Sequence, residues 1–264
     1  MNIFLREMKA IRKSLLIWCS GVVFMIGAGM GKYAGLASTG DSMNELMASM
    51  PKSLQAIMGT GSLDLSKVIG YYGMLYLYLA VMATIHACML GANMISKEER
   101  DKTAEFLLVK PISRGRIITY KLLAAFVNII IFNLITLISS LVMVHKYADG
   151  EEVIGDIMIM MLGMFFLQLI FLAIGTAIAA INNNPKSPTS ISTGILLVTF
   201  ILSIAIDLNG KLEKLSYFTP FKYFDAKNLI SEGIENSFVL LSVVQIIGLI
   251  IATYVFYKKR DINV

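Results

Sequence analysis

Long apolar blocks recur along the whole chain, and they constrain its fold more than any other feature. A helix needs about 20 mostly apolar residues to cross a bilayer, and no block is left over for a separate soluble domain. The sequence therefore predicts an all-α polytopic membrane protein, a single transmembrane domain over residues 1–264. Six predicted transmembrane helices cover approximately residues 15–36, 68–95, 122–144, 153–181, 189–206 and 238–257.

The composition agrees with a membrane protein and argues against several soluble classes. Hydrophobic residues make up 56% of the chain and charged residues only 16%, and the mean hydropathy of +0.72 lies outside the usual soluble range. The basic residues cluster beside the apolar blocks, which is typical of membrane topology and not of a nucleic-acid-binding face. Cys19 and Cys88 both lie inside apolar blocks and form no motif, so neither a disulfide framework nor a zinc site is indicated.

The charged stretch at residues 96–121 orients the chain. It carries seven Lys/Arg and four Asp/Glu, and each such charge at the centre of a bilayer costs about 2.5–3.5 kcal/mol. If both termini lie on the same side as this stretch, the segments on that side hold 15 Lys/Arg and the opposite loops hold 8. Because basic residues accumulate on the cytoplasmic side, we predict that both termini are cytoplasmic.

The first 14 residues have the pattern of a short amphipathic helix. Such a helix is expected to lie along the inner membrane interface, ahead of an uncleaved first span. The residues predicted to share its apolar face are Ile3, Phe4, Met8 and Ile11, while the basic residues Arg6, Lys9 and Arg12 lie largely on other faces. Within the first span, Gly27, Gly31 and Gly35 recur at four-residue intervals, which predicts a packing face.

Two predicted outer segments contain distinctive residues. Met43, Met47 and Met50 share one face of a short predicted helix that Pro51 interrupts. Thioether sulfur is a soft ligand for copper(I), and an interfacial or substrate-contacting surface is the alternative. The second segment, residues 207–236, is aromatic and dotted with charge, so we expect short interfacial or re-entrant helices there.

No catalytic constellation is present. The chain lacks a nucleotide-binding loop and a clustered set of intramembrane carboxylates, so a transporter of this kind would take its energy from a partner. Polar and soft residues within the spans are candidates for a cargo pathway: Met82, His86, Asn128 and Asn133.

The run from Ile95 to Leu123 resembles the signature of ABC-2-type permeases, in which a Glu-Glu-Arg motif follows the second span. The matching positions are Glu98, Glu99, Arg100, Thr103, Glu105, Leu107, Leu108, Pro111, Ser113, Arg114 and Lys121. Lys102 stands where the family more often has a glycine. The segment Thr219–Phe224 before the last span is also similar to many members.

This resemblance implies an ABCG-like exporter. In such an assembly two permease chains, here a homodimer or a pair with a sibling chain, join two cytoplasmic ATPase chains, which bind ATP and magnesium. The N-terminal amphipathic helix would be the connecting helix, and the 96–121 stretch would hold a coupling helix that docks on the ATPase. Apolar Phe106, Leu107 and Leu108, flanked by charge, suit such docking. No cofactor or metal is expected in the permease itself.

The cargo follows less directly. Spans rich in apolar residues with little charge suit an apolar or amphipathic cargo, and we favour an amphipathic peptide such as a toxin or antimicrobial peptide, exported across the plasma membrane of a bacterium. Lipids, drugs and small ions, including copper, are alternatives. A membrane-embedded immunity or assembly factor that binds a peptide without moving it is a further alternative.

Overall fold

The computed structural model describes residues 3–36, 41–61, 63–105, 112–148 and 150–260, and these residues are predominantly helical, with no strand among them. Six of the helices are long and apolar enough to cross a membrane. They are α1 (Ile3–Leu36), α4 (Val68–Arg100), α5 (Arg114–His145), α6 (Ile154–Ile181), α7 (Pro188–Leu208) and α10 (Asn236–Lys259). The predicted all-α fold with six candidate transmembrane helices is therefore confirmed.

Short helices connect the long ones at one end of the molecule. They are α2 (Asp41–Ser49), α3 (Lys52–Met58), a 3₁₀ helix (Gly210–Phe218), α8 (Pro220–Tyr223) and α9 (Ala226–Ser231). We call this the outer end. The opposite end, the inner end, carries the start of α1, the end of α10 and the connection from α4 to α5.

Helices α4 and α6 form the centre of the bundle. They are the helices with the largest buried share, about three fifths of the most apolar window of each, and they pack against each other more extensively than any other pair. Glycines allow their backbones to touch: a Cβ on Gly91 would lie 2.4 Å from the carbonyl oxygen of Leu172, and one on Gly175 would lie 2.4 Å from that of Cys88. Small residues permit this close crossing of membrane helices.

The N-terminal segment corrects one prediction. Residues 3–36 form one continuous helix, so a separate amphipathic helix ahead of a span starting at residue 15 is wrong. No proline interrupts the segment, and its apolar side is covered by protein: Ile3 packs near Ile117, and Phe4 and Met8 pack against buried residues of α4, α5 and α6. The predicted amphipathic pattern is therefore present, but the bundle itself covers the apolar face.

The predicted glycine stripe of α1 makes almost no close contact within this chain. A Cβ on Gly31 would meet no atom within 4 Å, and one on Gly27 would only touch Met143 at 4.0 Å. Close contacts occur instead at Gly21, against Met82, and at Gly29, against Leu75. A four-residue repeat of glycine indicates that a close approach is possible, but the side on which the bundle assembles decides whether it is used.

The aromatic loop before the last span folds back onto the bundle. Phe221, Tyr223 and Phe224 are buried, and the ring of Phe224 stacks on that of Phe166 at a centroid distance of 5.6 Å. Burial raises the pKa of Tyr223, whose hydroxyl accepts a hydrogen bond from Gln245 at 3.1 Å. The expected short helices are present, as a 3₁₀ helix followed by α8 and α9, and the buried aromatic side chains belong to α8 and the residue after it, whereas Tyr217 and Phe218 of the 3₁₀ helix are exposed.

At the same end, α2 is attached to the start of α4. The Asn44 side chain donates to the Asp64 carboxylate at 2.7 Å and accepts from the backbone N–H of Leu65 at 3.0 Å. Hydrogen bonds from Ser66 and Asn44 lower the pKa of Asp64. As predicted, the methionine-bearing helix is interrupted at Pro51, which precedes α3.

Candidate functional site

A fully buried lysine marks the inner end. Lys121 lies two turns into α5 and has no exposed surface. Its ammonium group forms an ion pair with Glu98, near the end of α4, and donates to the carbonyl oxygen of Met94 at 2.5 Å. Removing such a charge from water costs several kcal/mol, which only well-placed partners offset. Lys121 therefore ties the helix before the charged loop to the helix after it.

A buried glutamate brings the N-terminal helix into the same network. Glu7 on α1 is also fully buried. It accepts from Arg6 at 2.7 Å and forms an ion pair with Lys97 of α4, and Arg6 reaches on to Glu98 at 3.1 Å. Three helices thus share one set of charges. We call this set the inner cluster: Arg6, Glu7, Lys97, Glu98 and Lys121.

The end of α10 is attached beside the inner cluster. Arg260 forms an ion pair with Glu99 at 2.5 Å and donates to the carbonyl oxygen of Ala179 at 2.7 Å, on the last turn of α6. Arg114, the first residue of α5, donates to the carbonyl oxygen of Arg260 at 2.6 Å. Cations near the carboxyl end of a helix satisfy its free carbonyl groups. Both ends of the connection between α4 and α5 are therefore joined to the last helix as well.

The charged loop begins with a sharp, well-defined helix end. The N–H of Thr103 donates to the carbonyl oxygen of Glu98 at 2.8 Å, and the N–H of Lys102 to that of Glu99 at 3.2 Å, which is the pattern of a Schellman motif. Lys102 has a φ of +54°, a left-handed conformation that suits glycine. The chain turns where the ABC-2 pattern more often has glycine, although a lysine stands there.

The predicted docking residues divide into two groups. Glu98, Glu99 and Arg114 point into the protein, where they hold the helices together. Arg100 is exposed and donates to the side-chain oxygen of Asn93 at 2.7 Å, and Thr103, Glu105 and Ser113 are also exposed. Ser113 caps α5 by accepting a hydrogen bond from the N–H of Arg116. Phe106, Leu107, Leu108 and Pro111 lie outside the described residues.

The basic residues predicted on the connecting helix also divide. Lys9 and Arg12 are exposed, whereas Arg6 is only partly exposed because it belongs to the inner cluster. The inner end thus has buried charges, which belong to the inner cluster, and separate exposed charges, which include Lys9, Arg12 and Arg100.

The predicted pathway residues lie within the helix bundle of this chain. His86 and Asn128 are 3% and 1% exposed, and the His86 ring is held between Phe132 and Trp18, at centroid distances of 4.9 Å and 5.4 Å. Met82 packs on α1, where a Cβ at residue 21 would approach it to 2.8 Å.

Asn133, the fourth of these residues, donates to the side-chain oxygen of Gln168 on α6 at 3.0 Å. The role of these four residues in a pathway stays a prediction.

Sequence reasoning missed the most buried charges of the site. Of these, the sequence offers a signal only for Glu7. It lies between Ile3 and Ile11 at four-residue spacing and so interrupts an apolar helical stripe. Lys121 was recognised only as part of the motif, and Arg260 only as a basic residue after the last span. None of these positions revealed its partner, since the partners come from other helices.

A comparison with known families decides what kind of protein has this architecture. The family described as ABC-2 family transporter protein matches residues 1–262. The chain belongs to the ABC-2 family transporters. No curated protein matches the chain at a significant level. As an ABC-2 transporter protein it is a multi-pass membrane subunit of an ABC transporter, and the family implies an ABC ATPase partner.

The ABC-2 assignment suggests a role for the inner end, namely contact with an ATPase. The ATPase that the family implies would pass the energy of ATP hydrolysis to the permease through contact between the two. Among the residues that the structure describes, no group of three or more His, Cys, Asp and Glu side chains could hold a metal ion. The chemically distinctive feature of this ABC-2 protein is therefore its network of buried charges around the 101–113 connection.

Proposed function

We propose that this chain is the permease subunit of an ATP-driven exporter and that its 101–113 connection receives the ATPase. The carrying observation is the inner cluster with the adjoining Glu99–Arg260 pair. Through these contacts the end of α4 is bonded to α1, to α5 and to Arg260 after α10, and Arg114 at the start of α5 bonds to the same Arg260. A displacement of the connection by the ATPase would therefore move several helices together.

Two features of the exposed residues at the start of the connection support docking at this place. Arg100, Thr103 and Glu105 are exposed, and Arg100 is oriented by its hydrogen bond to Asn93 and by an ion pair to Asp101 at 3.1 Å. Exposed charges of this kind add orientation and speed to association more than affinity. The neighbouring apolar Phe106, Leu107 and Leu108 would supply the affinity, as apolar anchors do in protein interfaces.

The proposed assembly contains two permease chains and two ATPase chains in the plasma membrane of a bacterium, with both permease termini in the cytoplasm. ATP and magnesium would be bound by the ATPase. The two permeases would form a homodimer, with a sibling chain as the alternative. The exposed apolar faces of α1 and α7, which include Phe24 and Val198, offer area both for lipid and for a second chain.

The proposed cargo is an amphipathic peptide, such as a toxin or antimicrobial peptide, moved outward. Its support is the apolar surface of the spans, because a pathway with few charges suits a cargo that carries a large apolar face. Small ions are less suited to it, since intramembrane charge is scarce outside the inner end.

The docking proposal is tested by co-purification of the permease with its ATPase, identified by mass spectrometry. We expect Arg100→Glu, and separately Leu107→Asp, to release the ATPase while the permease stays folded. The matched control is Lys186→Glu, which makes the same charge reversal at an exposed position of the neighbouring inner loop and should retain the ATPase. Full retention by both docking variants would contradict the proposal.

Transport is tested separately with the reconstituted complex. Amphipathic peptide added to vesicles that contain permease and ATPase should stimulate ATP hydrolysis and be moved across the membrane. A complex that binds the peptide but neither moves it nor changes its ATPase rate would favour the immunity or assembly function instead.

A further inference from the structure

A cavity opens at the outer end, far from the inner cluster. Its volume is about 280 Å³, and it lies between α3, α4, α7, α8 and α9. Much of its wall is apolar. The apolar lining includes Leu77, Ala80, Leu167, Phe221 and Phe224. Sites for small molecules have this character, an apolar wall with a few placed polar groups.

One polar group in this cavity has an unused hydrogen-bonding capacity. Tyr76 lines the cavity and is 2% exposed, and its hydroxyl has no hydrogen-bond partner among the residues described. Buried polar atoms are nearly always paired, because an unpaired one costs about 1–3 kcal/mol. The Tyr76 hydroxyl therefore offers a hydrogen bond to an occupant of the cavity.

The charges around the cavity favour an anion. Asp207 and Asp225 are both already paired with Lys222, the second at 2.9 Å. Burial alone would lower the pKa of Lys222, but Asp225 and Asp207 together raise it, so Lys222 stays charged at neutral pH. Two further lysines at the cavity, Lys52 and Lys227, are exposed and make no ion pair with any described residue. Their charges are the ones available to a ligand.

We propose that the outer cavity binds an amphiphile with one apolar chain and an anionic head group. The chain packs against Leu77 and the aromatic wall, and the head group accepts a hydrogen bond from Tyr76 and faces Lys52 and Lys227. Such a ligand is either a free amphiphile or a chain of an anionic bilayer lipid. This site goes beyond the proposed transport function, because it requires only a folded permease.

The experiment uses the full chain in nanodiscs and a decanoate probe with a terminal diazirine. After illumination, peptide mass spectrometry should place the label on segments 52–61 and 220–227. Unlabelled decanoate should compete with the probe, and decyltrimethylammonium, which has the same chain and the opposite charge, should not. Absence of label from both segments, or equal competition by the cation, would overturn the proposal.

Two substitutions test the named contacts. Tyr76→Phe removes only the hydroxyl and should weaken decanoate binding about tenfold or more, as expected for a hydrogen bond to a charged group. Ala56→Phe, at the partly exposed edge of the cavity, should fill the space and abolish labelling. The matched control is Tyr72→Phe, since the Tyr72 hydroxyl donates to Ser140 at 2.6 Å, on a different side of α4. Unchanged binding in both test variants would overturn the proposal.

The source of the ligand is read from the lipid composition. If nanodiscs that contain phosphatidylglycerol suppress labelling relative to phosphatidylcholine alone, the site takes an anionic lipid. If the two compositions give equal labelling, it takes a free amphiphile. Both results support the site, and neither depends on the ATPase or on transport.

Discussion

At the residue scale, the distinctive feature of this chain is that charged side chains are buried at the inner end. Lys121 and Glu7 are both fully buried, and they are linked through Arg6, which pairs with Glu7 and with Glu98, the partner of Lys121. A buried ion pair is seldom more stable than an apolar replacement of both partners, while the loss of one partner is severe. The inner cluster is therefore better explained by the specific helix arrangement that it imposes than by stability alone.

Removal of the central lysine should reveal this asymmetry. We expect Lys121→Met to lower the free energy of unfolding by about 3–5 kcal/mol, because Glu98 is left buried beside Glu7 with less compensation. The measurement is denaturant unfolding of the purified chain in detergent. Lys9→Met removes an exposed lysine from α1 and should change stability by less than about 0.5 kcal/mol.

The double variant Lys121→Met with Glu98→Gln removes both charges of the pair. It should recover a large part of the loss, since the uncompensated carboxylate is then gone. A double variant as unstable as the sum of the two single variants would show that packing, and not charge pairing, holds Lys121 in place.

The left-handed residue at the start of the charged loop allows a stabilising substitution. Lys102→Gly should raise the free energy of unfolding by about 1 kcal/mol, because glycine adopts a φ of +54° without the steric cost of a Cβ. The same denaturant titration measures it. Asp101→Gly is the control: Asp101 has a φ of −89°, so glycine gains nothing there and adds backbone entropy to the unfolded state.

At the element scale, two helices act as the structural centre and the others pack around them. Helices α4 and α6 meet through Gly91 and Gly175, whereas α10 has only 11% of its most apolar window buried. With 33 residues, α4 is about 50 Å long, longer than the hydrocarbon core of a bilayer. It therefore reaches from the outer cavity to the inner cluster and connects the two sites of interest.

The close crossing of α4 and α6 makes a direct prediction about glycine. Gly91→Ala should destabilise the chain by about 1–3 kcal/mol or more, because its Cβ would collide with the backbone of Leu172. Gly31→Ala should be neutral or stabilising, since a Cβ there meets no atom within 4 Å and alanine is the better helix former. Unfolding in detergent measures both, and equal effects would contradict the assignment of the packing face.

At the scale of the whole molecule, the two ends differ in chemistry. The inner end is held together by buried ion pairs among α1, α4, α5 and Arg260 after α10, and by a hydrogen bond from Arg260 to the last turn of α6. The outer end is closed by short helices and stacked aromatic rings, with a cavity between them. Ion pairs thus hold the helices together at the end where energy is proposed to enter. Apolar side chains line the cavity at the end where a ligand is proposed to bind.

Orientation in the membrane is the prediction that belongs to this scale. With both termini cytoplasmic, Lys211→Cys should react with a membrane-impermeant maleimide in intact cells, and Lys186→Cys only after permeabilisation. Both positions are exposed and lie at opposite ends of the bundle. The native Cys19 and Cys88 are 7% and 0% exposed, so background labelling should be low. The reverse pattern would contradict the orientation inferred from the basic residues.

Local features of the sequence are enough to predict the class of fold and the family. Six apolar blocks can be read locally, because the bilayer thickness sets the length of a spanning helix. The motif after the second span carried the ABC-2 resemblance, which the family match confirmed. The separate N-terminal helix was wrong, because an amphipathic pattern shows that one face is apolar and does not show whether the helix continues into the span or what covers that face.

The contacts between helices, in contrast, could not be predicted and are seen only in the folded bundle. Gly91 and Gly175 looked no different in sequence from the unused Gly31, and nothing near Lys121 indicated that Glu98 and Met94 would surround its ammonium group. The partner of Glu99 is Arg260, which lies far along the chain. The Tyr76 hydroxyl has no hydrogen-bond partner among the described residues. The physical reason is that periodicity and hydropathy are properties of one helix at a time, whereas charge pairing, close crossing and cavities arise between helices.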